Sequence, residues 1–137
     1  MSDNVFLDTN ILVYLYSTSE QQKRNTSISI LRDYNCVTSI QALNEFNNVF
    51  IKKYKMPNSS IRTAVANISK SCSVQFVTES TIHKALDMNM RHGYSYYDCL
   101  MLASALESNC KTLFSEDMGD NHVVEGGLKI INPYKSL

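Results

Sequence analysis

Short apolar runs alternate along this chain with longer stretches in which apolar residues recur every three or four positions. Val5-Phe6-Leu7 predicts a strand over about 4–8, and a short helix follows over 10–16. The polar stretch 17–25 opens a helix in which Ile28, Leu31 and Tyr34 share a face. A second short strand spans 35–38, and from Ser39 a helix carries Ile40, Leu43, Phe46 and Phe50 on one stripe. Pro57 ends that helix or starts the next, with Asn58 or Ser59 as N-cap, and Ile61, Val65 and Ile68 carry the stripe towards Cys72. Residues 74–78 read as a third strand, and 79–92 as a helix closed by Gly93. Ser95 opens the most apolar helix, 96–107. A fourth strand over 111–114 and a fifth over 128–131 follow, the last ended by Asn132-Pro133.

Strands alternating with helices predict an α/β fold with a mainly parallel sheet covered on both faces. No repeat, low-complexity tract or linker divides the sequence, so residues 1–137 are expected to form a single domain.

Two of the strand-like runs end in acids. Val5-Phe6-Leu7 leads into Asp8-Thr9-Asn10, and Thr112-Leu113-Phe114 leads into Ser115-Glu116-Asp117. In open α/β sheets, ligands bind at the carboxyl ends of the strands. Glu45 and Asp98 stand near the starts of helices between these runs. Each acid also has a structural explanation. Asp8 suits an N-cap, Glu45 complements a helix macrodipole, and Asp98 fits a capping box with Ser95. Asp117 suits a solvated turn, where Glu116 and Asp120 are its nearest rivals for a metal. Four acids brought together repel by about 4 kcal/mol per pair at 4 Å and an effective dielectric near 20, which a divalent cation relieves.

Composition narrows the classes. The formal net charge is zero, so a nucleic-acid partner must be held by a local patch or through metal ions rather than by a general basic coat. No apolar stretch reaches the roughly 20 residues that span a bilayer, and no signal peptide is evident, so cytoplasmic location is expected. Cys36, Cys72, Cys99 and Cys110 lack zinc-ligand spacing and read as buried reduced thiols. The run Lys52-Lys53-Tyr54-Lys55 reads as a solvated helix end, with phosphate contact as the alternative. No P-loop or nucleophile-elbow pattern is present.

Five segments in order resemble the PIN-domain ribonucleases, specifically the VapC-type toxins of toxin–antitoxin pairs. They are Phe6-Leu7-Asp8-Thr9-Asn10, Gln41-Ala42-Leu43-Asn44-Glu45-Phe46, Ser95-Tyr96-Tyr97-Asp98-Cys99-Leu100, Leu113-Phe114-Ser115-Glu116-Asp117-Met118 and Ile130-Ile131-Asn132-Pro133-Tyr134. One departure lies at Gly119, which follows Met118 directly where relatives often place glycine later.

The resemblance implies a three-layer α/β/α PIN-like domain with a sheet of four to five short strands. It further implies that Asp8, Glu45, Asp98 and Asp117 hold Mg²⁺ or Mn²⁺, with Asn10 and Ser115 in support. The implied activity is metal-dependent hydrolysis of RNA, leaving 5′-phosphate and 3′-hydroxyl ends. The implied partners are an RNA substrate, an antitoxin that covers the site, and a second copy of the chain. A catalytically inactive PIN-fold module for RNA binding or protein interaction is the alternative.

Overall fold

The molecule, a computed structural model, is described over residues 3–137. Five strands form one sheet in the order β3-β2-β1-β4-β5: β1 Asn4–Leu7, β2 Asn35–Ser39, β3 Ser73–Gln75, β4 Thr112–Phe114 and β5 Lys129–Ile131. Every strand pair is parallel. Val5, Phe6 and Leu7 are all buried, because β1 is the central strand and both of its faces are covered. Phe6 stands beside Val37 on one side and Leu113 on the other.

Helices α1 (Thr9–Tyr14) and α2 (Gln21–Asp33) join β1 to β2, and α3 (Ile40–Lys52) and α4 (Asn58–Ser71) join β2 to β3. Both connections advance in the same direction across the sheet. The connection from β3 to β4, through α5 (Glu79–His92) and α6 (Tyr96–Glu107), runs back across it. Right-handed crossovers therefore put α1–α4 on one face and α5–α6 on the other, giving three layers. The packing agrees: α1 touches α2 and α3, α3 touches α4, and α5 pairs with α6. Cys99 to Ala105 of α6 are buried at seven consecutive positions, as its all-round apolar sequence requires.

Several expectations are corrected in detail. On α2 the buried positions are Ser27 and Ile30, while Ile28 and Tyr34 are exposed. The Ser27 hydroxyl lies 2.6 Å from the Tyr134 hydroxyl, so a polar pair fills part of the face. Helix α4 starts at Asn58 with Pro57 as an extended N-cap that makes no side-chain bond. Strand β3 ends at Gln75, and Phe76 is exposed. It is an edge strand, and Thr78 and Thr81 already form the capping box of α5 two residues later. On α3, Ile40 lies at the exposed margin of the stripe, and Ala42 joins Leu43, Phe46 and Phe50 in the core. All four cysteines are free and buried. Among the described residues no helix is long and apolar enough to cross a membrane.

Candidate active site

Strand order reverses at β1: the chain proceeds from β1 to β2 on one side and later inserts β4 on the other. Such a switch point leaves a crevice beyond the strand ends, because the helices that follow the two strands lie on opposite faces or diverge. Asp8 is the first residue after β1, and its N–H continues the ladder to the Phe114 carbonyl at 3.1 Å. Ser115 follows β4 in the same way, donating its N–H to Ile131 at 3.0 Å. The other acids reach this edge through helices. Helix α3 starts directly after β2, which puts Glu45 in its second turn near the carboxyl edge. Helix α6 precedes β4 and runs against the strands, so its first turn, with Asp98, returns to the same edge.

Asp8, Glu45, Asp98 and Asp117 consequently line one open pocket of about 320 Å³, at the small end of ligand sites. Asn10, Tyr14, Lys53 and Tyr54 line it as well. Among the described residues Lys53 is the only basic one on its wall.

Asp8 is nearly fully buried. Its Oδ1 accepts from the Thr9 N–H at 2.7 Å, and its Oδ2 accepts from the Ser115 hydroxyl at 2.7 Å. Burial pushes its pKa up to about 6, the Ser115 and Thr9 hydrogen bonds oppose the rise, and the charges of Asp117 and Asp98 add to it. Asp98 is half-buried and its pKa is also raised. Burial is the main cause, opposed by Ser95 and reinforced by Asp117 and Glu45. The Ser95 hydroxyl accepts from the Asp98 N–H at 3.2 Å, the N-cap half of the expected capping box, so this position has a helix-starting role alongside its place in the pocket. The same is true of Asp8, the N-cap of α1.

Asn10 and Ser115 stand between Asp8 and Asp117. Asn10 donates to Asp117 Oδ1 at 3.3 Å, and its own carbonyl accepts the Glu116 N–H at 3.4 Å. The Ser115 oxygen lies 3.2 Å from Asp117 Oδ1, but its one proton serves the shorter contact with Asp8. Glu45 is held by Thr9, whose hydroxyl donates at 3.1 Å, and by Gln41, whose amide donates at 2.8 Å. Gln41 also reaches the Tyr97 carbonyl at 3.2 Å, tying α3 to α6 across the site. Thr9 and Gln41 have no sequence signal as site residues beyond their place in the motifs.

Glu116 and Asp120 are engaged elsewhere. Glu116 accepts from Tyr14 at 2.6 Å and pairs with Lys23 at 2.5 Å. Burial opposes its ionisation, but Lys23 and Tyr14 hold its pKa below the usual range. Asp120 accepts the Asn132 N–H at 2.9 Å and pairs with Lys135 at 3.3 Å. Both fasten the acidic turn to the rest of the fold.

Among the described residues no three acidic, histidine or cysteine groups converge closely enough to hold a metal ion as they stand. The donor set nevertheless fits a hard divalent cation: it is all oxygen, drawn from four carboxylates on one wall. Two of those carboxylates carry raised pKa values that a cation would reverse.

A sequence model of the PIN domain matches residues 5–122. None of the curated proteins compared matches the sequence. Among solved structures, a chain of a toxin–antitoxin complex from Klebsiella pneumoniae is 20% identical with a TM-score of 0.71, covering 95% of this chain and 98% of that one. A VapC toxin of Mycobacterium tuberculosis that cleaves the sarcin-ricin loop is 19% identical with a TM-score of 0.67, over 82% and 91% of the two chains. VapBC2 of Rickettsia felis, bound to a promoter DNA fragment, is 16% identical with a TM-score of 0.61, over 84% and 89%. At these identities the likeness is one of fold.

Proposed function

Because this chain belongs to the PIN-domain family, we propose that it is a Mg²⁺- or Mn²⁺-dependent endoribonuclease and the toxin of a type II toxin–antitoxin pair. The observation that carries this reading is the pocket at the switch point, lined by carboxylates from four separate segments, none of them in an ion pair among the described residues. Structural convenience explains any one of them. It does not explain why all four face one crevice at a cost in desolvation and repulsion.

Asp8 and Asp98 are assigned to direct metal coordination, Asp117 to direct or water-mediated coordination, and Glu45 to a second ion or to the attacking water. The metal, when bound, lowers the pKa of a water and offsets the charge of the phosphate. The chain's own residues set the geometry. Ser115 and the Thr9 N–H fix the Asp8 carboxylate, Asn10 orients Asp117, and Thr9 with Gln41 orients Glu45. A negative pocket repels RNA on its own, so substrate entry depends on metal loading. A basic side chain of an antitoxin, placed among the acids, would compete for the same charge. Antitoxin binding and self-association into a dimer are proposed on the strength of the family and the fold.

The test is cleavage of RNA by purified protein in Mg²⁺, with sequencing of the new 5′ ends. EDTA is expected to abolish cleavage, and Mn²⁺ is expected to bind in calorimetry and to raise the melting temperature. Absence of both cleavage and ion binding would leave a PIN-fold module without catalysis.

A further inference from the structure

The site described above handles a phosphodiester, but a chain of nucleotides extends on either side of the bond that breaks. Besides the acids, Lys53 and Tyr54 at the end of α3 line the pocket. Both backbone N–H groups return to the Val49 carbonyl, at 2.8 and 3.3 Å, so the two side chains project from a closed helix end. The Tyr54 ring stacks on Phe50 with centroids 5.0 Å apart and an angle of 31°. Phe50 is buried and packs in turn against Phe46 at a tilt of 49°. Tyr54 itself remains 44% exposed, a rigid aromatic surface anchored to the core. The Lys53 ammonium lies over that ring, 5.4 Å from its centre, and a base that stacks there displaces it towards the phosphate. An aromatic ring next to a cation, on the rim of a site that acts on phosphate, matches the two chemical groups of a nucleotide.

We propose that Lys53 and Tyr54 form a subsite for one unpaired nucleotide next to the scissile bond, with its base stacked on Tyr54 and its phosphate on Lys53. The proposal rests on the ribonuclease reading of the pocket and adds a requirement to it. A base in a duplex is already stacked on its neighbours, so the subsite selects single-stranded RNA. Among the described residues Lys53 is the only cation lining a pocket with four acids, so it also sets where the flanking phosphate enters.

The experiment measures binding of a short fluorescent single-stranded oligoribonucleotide in Mg²⁺, using full-length protein carrying Asp98→Asn to prevent cleavage. Adding Tyr54→Ala is expected to weaken binding by roughly ten-fold, the lower range of base–aromatic stacking, while Tyr54→Phe keeps it. Adding Lys53→Ala is expected to make the slope of log Kd against log salt shallower by about 0.7, the value of one phosphate contact on a single strand. A series of probes with an abasic site stepped along the strand supplies the decisive arm: at one register the Tyr54→Ala effect disappears. Equal binding by parent, Tyr54→Ala and Lys53→Ala overturns the subsite, as does a Tyr54→Ala loss that no abasic probe removes. Cleavage by the unaltered protein is scored separately, so either of these results leaves the ribonuclease reading standing. Failure of the parent to bind any RNA overturns the subsite, and it overturns the ribonuclease reading as well only when the unaltered protein does not cleave.

Discussion

Two groups of carboxylates lie close together in this molecule and behave in opposite ways. Glu116, Asp120 and Glu125 each meet a cation: Lys23, Lys135 and Arg91, the last joined by a ring nitrogen of His92. Their pKa values are lowered, for Glu116 and Glu125 against the opposing effect of burial. Asp8 and Asp98 have no ion-pair partner among the described residues, and burial and neighbouring acids raise their pKa values. Glu116 is adjacent in sequence to Asp117, yet it faces α2 while Asp117 faces the pocket. The difference separates acids that hold the fold together from acids kept available for something else.

The largest expected effect falls on the second group. Asp8→Asn and Asp98→Asn should each lower RNA cleavage by roughly 10²-fold or more, the scale of losing one preorganised electrostatic group, with melting temperature unchanged or higher. A variant that unfolds while the residual folded fraction keeps its specific activity would erase the distinction.

The next effect concerns pH. The folded-state pKa of Asp8 lies above its ordinary value, so between about pH 4 and 6 the folded protein holds a proton that the unfolded chain has released. Stability therefore falls as pH rises through that window, by about 3 kcal/mol at most. Asp8→Asn, which keeps a capping oxygen, should remove this dependence, leaving it more stable relative to the unaltered protein at pH 7 than at pH 4. Urea denaturation at the two pH values measures it, and an identical pH dependence in both proteins counts against a desolvated Asp8. A proton on Asp8 competes with the cation, so metal affinity is expected to weaken below about pH 6, while activity at saturating metal holds to lower pH.

The neutralised group should respond the other way round. Lys23→Met leaves Glu116 with Tyr14 alone and should cost about 1 kcal/mol, since the pair is partly buried. Cleavage should drop only several-fold, through a looser Asp117 turn. Arg91→Ala is the smallest change, below about 0.5 kcal/mol and without effect on cleavage, because the guanidinium is half exposed. Equal losses of activity from Lys23→Met and Asp98→Asn would break the comparison.

Much of the fold is legible in the sequence. Helices α5 and α6 match their predicted limits because Gly93 and Ser95 are boundary signals with local causes, whereas Thr78, read as strand, is the N-cap of α5. The third strand was overextended because the apolar Phe76 and Val77 read as strand, and only the sheet shows that β3 is an edge with nothing beyond it. The face of α2 was misplaced because a buried serine pairs with a tyrosine more than a hundred residues away, which no local period reveals.

The sequence by itself determined the alternation of strands and helices, the acids at the ends of Val5-Phe6-Leu7 and Thr112-Leu113-Phe114, and the order of motifs that marks the family. Those follow from side-chain period, capping chemistry and short-range backbone preference, all of which act within a few residues. Only the tertiary structure decided which acids are paired and which are left in the crevice. That choice depends on desolvation and on charges brought together across the sheet, and both exist only once β4 has been inserted beside β1.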